Sequence, residues 1–398
     1  MLRLRYSFFV VFGVLGCGDD SGNSASEARV LLNLDRGAVL SRTADFLSAS
    51  YSELAVRAKT LDESLTALCS STYGSEAAAS SIMTAKEKWR DLAAEWHKVD
   101  AIAVGPLAAN AETLRYDIYS WPLVNPCAVD REVANAKEQG QSYVLSDRDP
   151  SKGLDAVEYL LFDSDLDHAC SAAVSETASW NTLPEAERFA ARCDYQKLLL
   201  LNLNSDIETL GQSWQDDYAS TWKSLDGDQS EQDRLNELTD GLFFIDSTVK
   251  DQKLGTPLAI YSNCQSFPCL ESVEHLSSGH SGSAVSANLK GFSEIYGKVD
   301  ENSGFAALIS EAGEEEYARE LEAKVNAAVA ASTDLEDSSF VDLLADQTAC
   351  DLELSVEEQV SLLCKSYQTL KQVTDELKGK FLAVLQLQLP KQSTGDND

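Results

Sequence analysis

Apolar side chains recur at helical spacing almost wherever a pattern can be read, and this constrains the fold more than any other feature. Trp89, Leu92, Ala93, Trp96, Val99 and Ile102 share one helix face. Phe189, Cys193, Leu200, Leu203, Ile207, Leu210, Trp214 and Tyr218 share another, and Leu235, Leu238, Leu242, Ile245 and Val249 repeat the same step. The final stripe reads Val356, Val360, Leu363, Leu370, Val373, Leu377, Phe381 and Val384. No run alternates with the period of two that a strand pair needs. Most of the 8 prolines fall between these stripes, at Pro106, Pro122, Pro126, Pro150, Pro184, Pro257 and Pro268. Stripes on helices, with polar residues opposite, must be buried against one another, so an all-α protein of two packed helical bundles is expected. A chain of about 370 folded residues exceeds one comfortable core. The two units are placed at 36–170 and 171–390, with the seam near 170–186. One continuous long-helix domain is the alternative.

The chain opens MLRLRYSFFVVFGVLGCGDD. Arg3 and Arg5, an apolar run from Tyr6 to Leu15 and the small Gly16 have the parts of a secretory signal, and the run is too short to span a bilayer. Val14-Leu15-Gly16-Cys17 resembles the lipobox of bacterial lipoproteins, in which the cysteine is acylated. An ordinary signal peptide with an incidental cysteine is the competing reading. Residues 1–16 are therefore expected to be removed, Cys17 to be lipidated, residues 17–35 to be a flexible tether and 391–398 a disordered tail. Gly18 after the cysteine, rather than aspartate, favours the outer membrane.

Removing the signal takes away two arginines and no acid, leaving 30 basic against 65 acidic residues. So negative a surface repels phosphate backbones and excludes nucleic acid as a partner. The membrane, through Cys17, and envelope transport or surface proteins are the partners expected instead. Eight further cysteines enter an oxidising compartment, which suggests four disulfides. Proximity in sequence pairs Cys69 with Cys127, Cys170 with Cys193, Cys264 with Cys269 and Cys350 with Cys364.

The segment from Asp149 to Phe162 is the most informative. Asp149 can cap a helix and Pro150 can occupy its first position. Three residues apart on that helix, Asp155 and Glu158 share a face and could hold one cation. Equally, Asp155 could complement the helix N-terminus with Glu158 solvated. The histidines are His97, His168, His275 and His280, none paired at helical spacing, and there is no H-E-x-x-H. His97, beside Trp96, reads as a helix-surface or packed side chain. Glu271, Glu274, His275 and His280 sit in a loop-rich segment, where they either complete a site against Asp155 and Glu158 or form a plain polar loop. No Ser nucleophile elbow and no phosphate loop is present.

Gly153-Leu154-Asp155-Ala156-Val157-Glu158-Tyr159-Leu160-Leu161-Phe162 resembles the G-x-H-x-x-E motif of imelysin proteins. Trp89 and Trp96 ahead of Gly105-Pro106, Ile118-Tyr119-Ser120-Trp121-Pro122 and Lys253-Leu254-Gly255-Thr256-Pro257-Leu258 resemble further stretches of that family. So do Ser278-Gly279-His280-Ser281 and Ala287-Asn288-Leu289-Lys290-Gly291-Phe292. The resemblance covers roughly residues 40–390. It implies two helical bundles, an envelope location, an association with iron uptake, in places a peptidase label, and a metal site at the motif's histidine and glutamate. Here the histidine position is Asp155, as in a lipoprotein branch of the family. Aspartate in place of an imidazole moves the preference toward hard cations such as iron(III), calcium, magnesium or manganese.

The expectation is an envelope lipoprotein that binds a metal ion, iron first, or a metal-linked ligand between two bundles, with Asp155, Glu158, Glu274 and His280 as its ligands. A metallopeptidase is the alternative, with Glu158 or Glu274 as general base. A structural or surface-interaction lipoprotein is the third reading, with Glu158 held by a buried partner such as Arg115.

Overall fold

The computed structural model describes residues 34–224, 230–261, 264 and 266–390. The signal, Cys17, most of the tether and the tail lie outside the described residues. Among those described there is no strand. The α-helices of ten or more residues among those described are α1 (Arg36–Cys69), α2 (Glu76–Asp100), α3 (Pro126–Gln139), α4 (Gly153–Phe162), α5 (Glu185–Ser213), α6 (Glu231–Leu242), α7 (Ser281–Tyr296), α8 (Glu315–Thr333) and α9 (Leu362–Glu376).

Local chemistry sets the ends of these helices. Asp35 caps α1 by accepting from the Ala38 amide, and Ser75 does the same for α2 through Ala78. α5 starts directly after Pro184, with Glu185 and Glu187 in its first turn against the positive end of the helix dipole. The α4 segment departs slightly from expectation. Asp149-Pro150-Ser151 forms a short 3-10 turn and the α-helix begins at Gly153, whose φ of +83° lets the chain change direction there. Every residue of α4 is buried. The last stripe also starts later than its spacing suggests. Val356 and the exposed Val360 lie before α9, which Ser361 caps through the Cys364 amide.

α2 is the structural centre. It packs on α1, on α4 and on α7, while α1 also packs on α5 and α8 joins α7 to α9. The Trp89 indole donates to the Leu154 carbonyl at 2.9 Å and ties α2 to α4. α7 reaches α2 at very short range, because a Cβ at Gly291 would stand 2.0 Å from the Lys98 carbonyl oxygen. Gly291→Ala should therefore force the two helices apart. A loss of about 3 kcal/mol or more in urea unfolding is expected, at the top of the range for overpacking. Wild-type stability in that variant would mean the helices do not touch there.

The four disulfides correct half of the pairing by proximity. Cys264–Cys269 and Cys350–Cys364 are as expected, but Cys69 joins Cys193 and Cys127 joins Cys170. The reason is helix packing. α1 and α5 lie side by side, so the end of α1 meets Cys193 on α5 although 124 positions separate them.

Candidate metal centre

Six parts of the chain converge on one buried polar cluster. α2 brings Trp89 and His97, and the Tyr119-Ser120 turn faces them. α4 brings Asp155 and Glu158. A stretch of π-helix, Ile245–Gly255, brings Lys253, and such wide turns recur at functional sites. The connection before α7 brings Glu274, His275 and His280, and α7 itself brings Asn288. His97, Lys253 and Glu274 are each no more than 1% exposed.

His97 and His275 face each other, with their Nε2 atoms 2.7 Å apart. One nitrogen must therefore carry a proton while the other presents its lone pair. On the far side of its ring His275 Nδ1 donates to Glu158 Oε2 at 2.6 Å, and the Ser278 amide donates to Glu158 Oε1 at 3.0 Å. The Glu274 carboxylate accepts at Oε1 from the Tyr119 hydroxyl at 2.6 Å and from Lys253 Nζ at 2.9 Å. Its other oxygen, Oε2, is buried with no hydrogen-bond partner. Lys253 also donates to Asn288 Oδ1 at 2.9 Å, and Asn288 Nδ2 donates to the His97 carbonyl at 2.6 Å. The His275 backbone is held at φ +55°, a sparsely used region that clusters at functional sites.

The electrostatics separate the histidines. Burial holds His97 well below the usual imidazole range, helped by Lys253 and His275. At His275 burial pulls the same way, but the carboxylates of Glu158 and Glu274 outweigh it and raise the ring above its ordinary value. Burial, then the neighbouring His275, brings His280 down to about 3. Lys253 Nζ lies 3.4 Å from His97 Nδ1 and can only donate, so His97 accepts there and its Nε2 donates to His275 Nε2.

One nitrogen from each of His97 and His275 and one Glu274 oxygen lie within 4.8 Å of one another, as the donors to a single cation must. The residues expected from sequence take different places around them. Glu274 is a donor. Glu158 stands behind His275 and orients it rather than facing the donors. Arg115 is not its partner, since that side chain pairs with Asp100 and Glu112. Asp155 is held by the Ser120 hydroxyl at 2.9 Å and the Ala156 amide at 3.2 Å. His280 packs edge-on against the Trp89 and His275 rings, outside the donor set, and its Nε2 is buried without a partner. His97 and Lys253 were not expected. Their only signals in sequence are a histidine beside Trp96 and a lysine in the Lys-Leu-Gly-Thr-Pro loop.

Beside the cluster opens a cleft of about 480 Å³, whose walls include Tyr119, Trp121, Asp155, Glu158, Glu271 and His275. Burial pushes the Asp155 carboxyl up to about 7, against the hydrogen bonds from Ser120 that pull it down. Such a group favours the fold while protonated. Its contribution is complete below about pH 4 and is lost as pH rises through about 7, roughly 4 kcal/mol in all. The melting temperature should fall between pH 5 and pH 8, and Asp155→Asn should flatten that slope. Parallel slopes for the two proteins would contradict this assignment.

The imelysin (peptidase M75) family model matches residues 47–377. None of the curated proteins matches the sequence. Among solved structures the chain resembles a protein from Parabacteroides distasonis described as an iron-regulated protein A precursor, with a TM-score of 0.63 and 15% identity. The match covers 89% of this chain and 96% of the other. That likeness shows the shared all-helical fold.

Proposed function

Since the chain belongs to the imelysin family, we propose that the buried cluster of His97, Glu274 and His275 is a metal centre in an envelope protein held to the membrane through Cys17. One observation carries this reading: a nitrogen of each of two imidazoles lies within 4.8 Å of an oxygen of Glu274, a carboxylate whose Oε2 is buried and unsatisfied. A buried carboxylate oxygen without a partner costs free energy unless something completes it. A cation between these donors would do so.

The surrounding residues fit that role. By accepting from Nδ1, Glu158 fixes the His275 tautomer and frees Nε2, the carboxylate–histidine arrangement that commonly supports a metal ligand. Ser278 holds Glu158, Asn288 holds the His97 backbone, and Lys253 neutralises one oxygen of Glu274. Two imidazoles and one carboxylate suit a borderline divalent ion such as iron(II) better than calcium or magnesium. The iron-regulated description of the structural neighbour supports iron, and with it a role in iron handling at the envelope. Once bound, such an ion would supply Lewis acidity toward an oxygen ligand. Both Nε2 lone pairs must be free for it, so affinity should fall as pH drops.

Anaerobic iron(II) titration of chelator-stripped protein tests this reading. One equivalent should bind to the wild type and to Asp155→Ala, and none to His97→Ala. Stoichiometric binding that survives in His97→Ala would move the ion elsewhere. The competing reading is a closed polar core, favoured by the 2.9 Å pair between Lys253 and Glu274, which already balances one charge with another. It expects no stoichiometric ion in any of the three proteins.

A further inference from the structure

The three donors of the cluster have a fourth polar atom among them, the hydroxyl of Tyr119. It lies 2.6 Å from Glu274 Oε1 and 3.3 Å from His275 Nε2, and that nitrogen stands 2.7 Å from His97 Nε2. The Tyr119 side chain is buried, and its ring meets the His97 ring edge-on with centroids 5.1 Å apart. Ligands about 2.0–2.2 Å from one ion stand roughly 3.3–3.6 Å apart in a tetrahedron. The Tyr119–His275 separation already has that value. The two shorter contacts are hydrogen bonds, and each opens by about 1 Å or less when an ion takes the place of the shared proton. Charge balance alone does not explain where the hydroxyl sits. It donates to the same Glu274 oxygen that Lys253 already holds at 2.9 Å, while Oε2 stays buried without a partner. The backbone sets its position from the other side. The Tyr119 amide donates to the Arg115 carbonyl at 2.9 Å, and the Ser120 amide and hydroxyl donate to Asp155 at 3.3 and 2.9 Å. Asp155 thus pins the turn that aims the phenol at the donors.

We infer that Tyr119 is the fourth ligand of the centre, its phenolate oxygen joining His97, His275 and Glu274, and that this makes the site one for iron(III). The inference rests on the reading of those three residues as a metal centre. On loading, the Tyr119 O–H bond breaks, an oxygen–iron bond forms, and the proton passes to water in the cleft that Tyr119 lines. Beside Glu274 the phenolate is a second hard, anionic oxygen, from which a trivalent ion gains more than a divalent one.

The test is visible and resonance Raman spectroscopy of the full chain, stripped with chelator and given one equivalent of iron(III) as its nitrilotriacetate complex. Iron content is measured after desalting. A tyrosinate bound to iron(III) gives a visible charge-transfer band, and excitation within it enhances the phenolate vibrations. The wild type should retain the iron and show both signals. Tyr119→Phe should show neither and hold iron(III) about a hundredfold more weakly or worse, while binding iron(II) anaerobically as the wild type does. A residue that only positioned Glu274 would not separate the two ions in this way. Iron(III) retained by the wild type without the band would overturn the inference and leave the three-residue centre standing, and this result needs no variant to fold. A band that survives in Tyr119→Phe would do the same, as would a wild type that takes up iron(II) but no iron(III). Binding of neither ion would overturn this inference together with the metal reading.

Discussion

His275→Ala is expected to cost about a thousandfold or more in affinity for the ion. Structural zinc sites bind their ion with roughly 10–16 kcal/mol spread over four ligands, about 3–4 kcal/mol for each ligand, and this scale is carried over here. The same change leaves the Glu158 carboxylate buried with only the Ser278 amide to satisfy it. Removing one member of a buried charged pair typically destabilises by about 3–5 kcal/mol. Titration calorimetry and urea unfolding of the stripped protein read the two effects separately. Near-wild-type affinity in this variant would remove His275 from the ligand set.

Lys253→Met gives the second large effect, and its sign distinguishes the metal centre from the closed polar core. The Lys253 ammonium is almost fully buried between Glu274 and Asn288. Without it Glu274 keeps a single donor, the Tyr119 hydroxyl, and the ion-free protein should lose about 3–5 kcal/mol. In a metal centre the ion then becomes the only counter-charge to Glu274. Binding should tighten by about tenfold or more, and added iron should recover much of the lost stability through mass action. In a closed polar core no added ion restores the variant. The comparison is made by thermal melts with and without iron(II).

The contrast between what the sequence discloses and what it hides is itself physical. Helix faces are written locally, so the spacing of Trp89, Trp96 and Val99 or of Leu235, Leu238 and Leu242 reveals buried stripes that the structure confirms. The exception, Val360, stands before a serine cap that starts α9 later than its apolar spacing implies. The site is assembled from separate elements. His97 meets His275 across 178 positions and Lys253 meets Asn288 across 35, and no local pattern encodes either contact. Spacing on α4 puts Asp155 and Glu158 on one face as a possible ligand pair, and both line one cleft. Only the fold shows Asp155 anchored to Ser120 and Glu158 turned to the back of His275. The disulfides teach the same lesson, since Cys69 finds Cys193 because two long helices pack together.

Edge-resolved X-ray absorption of the iron-loaded protein examines the central claim most directly, because it reads the atoms around the ion. The account predicts imidazole scattering from two histidines, with nitrogen and oxygen neighbours at about 2.0–2.2 Å. A shell of oxygen alone, with no imidazole contribution, would contradict it and would place any bound iron on acidic side chains away from His97 and His275.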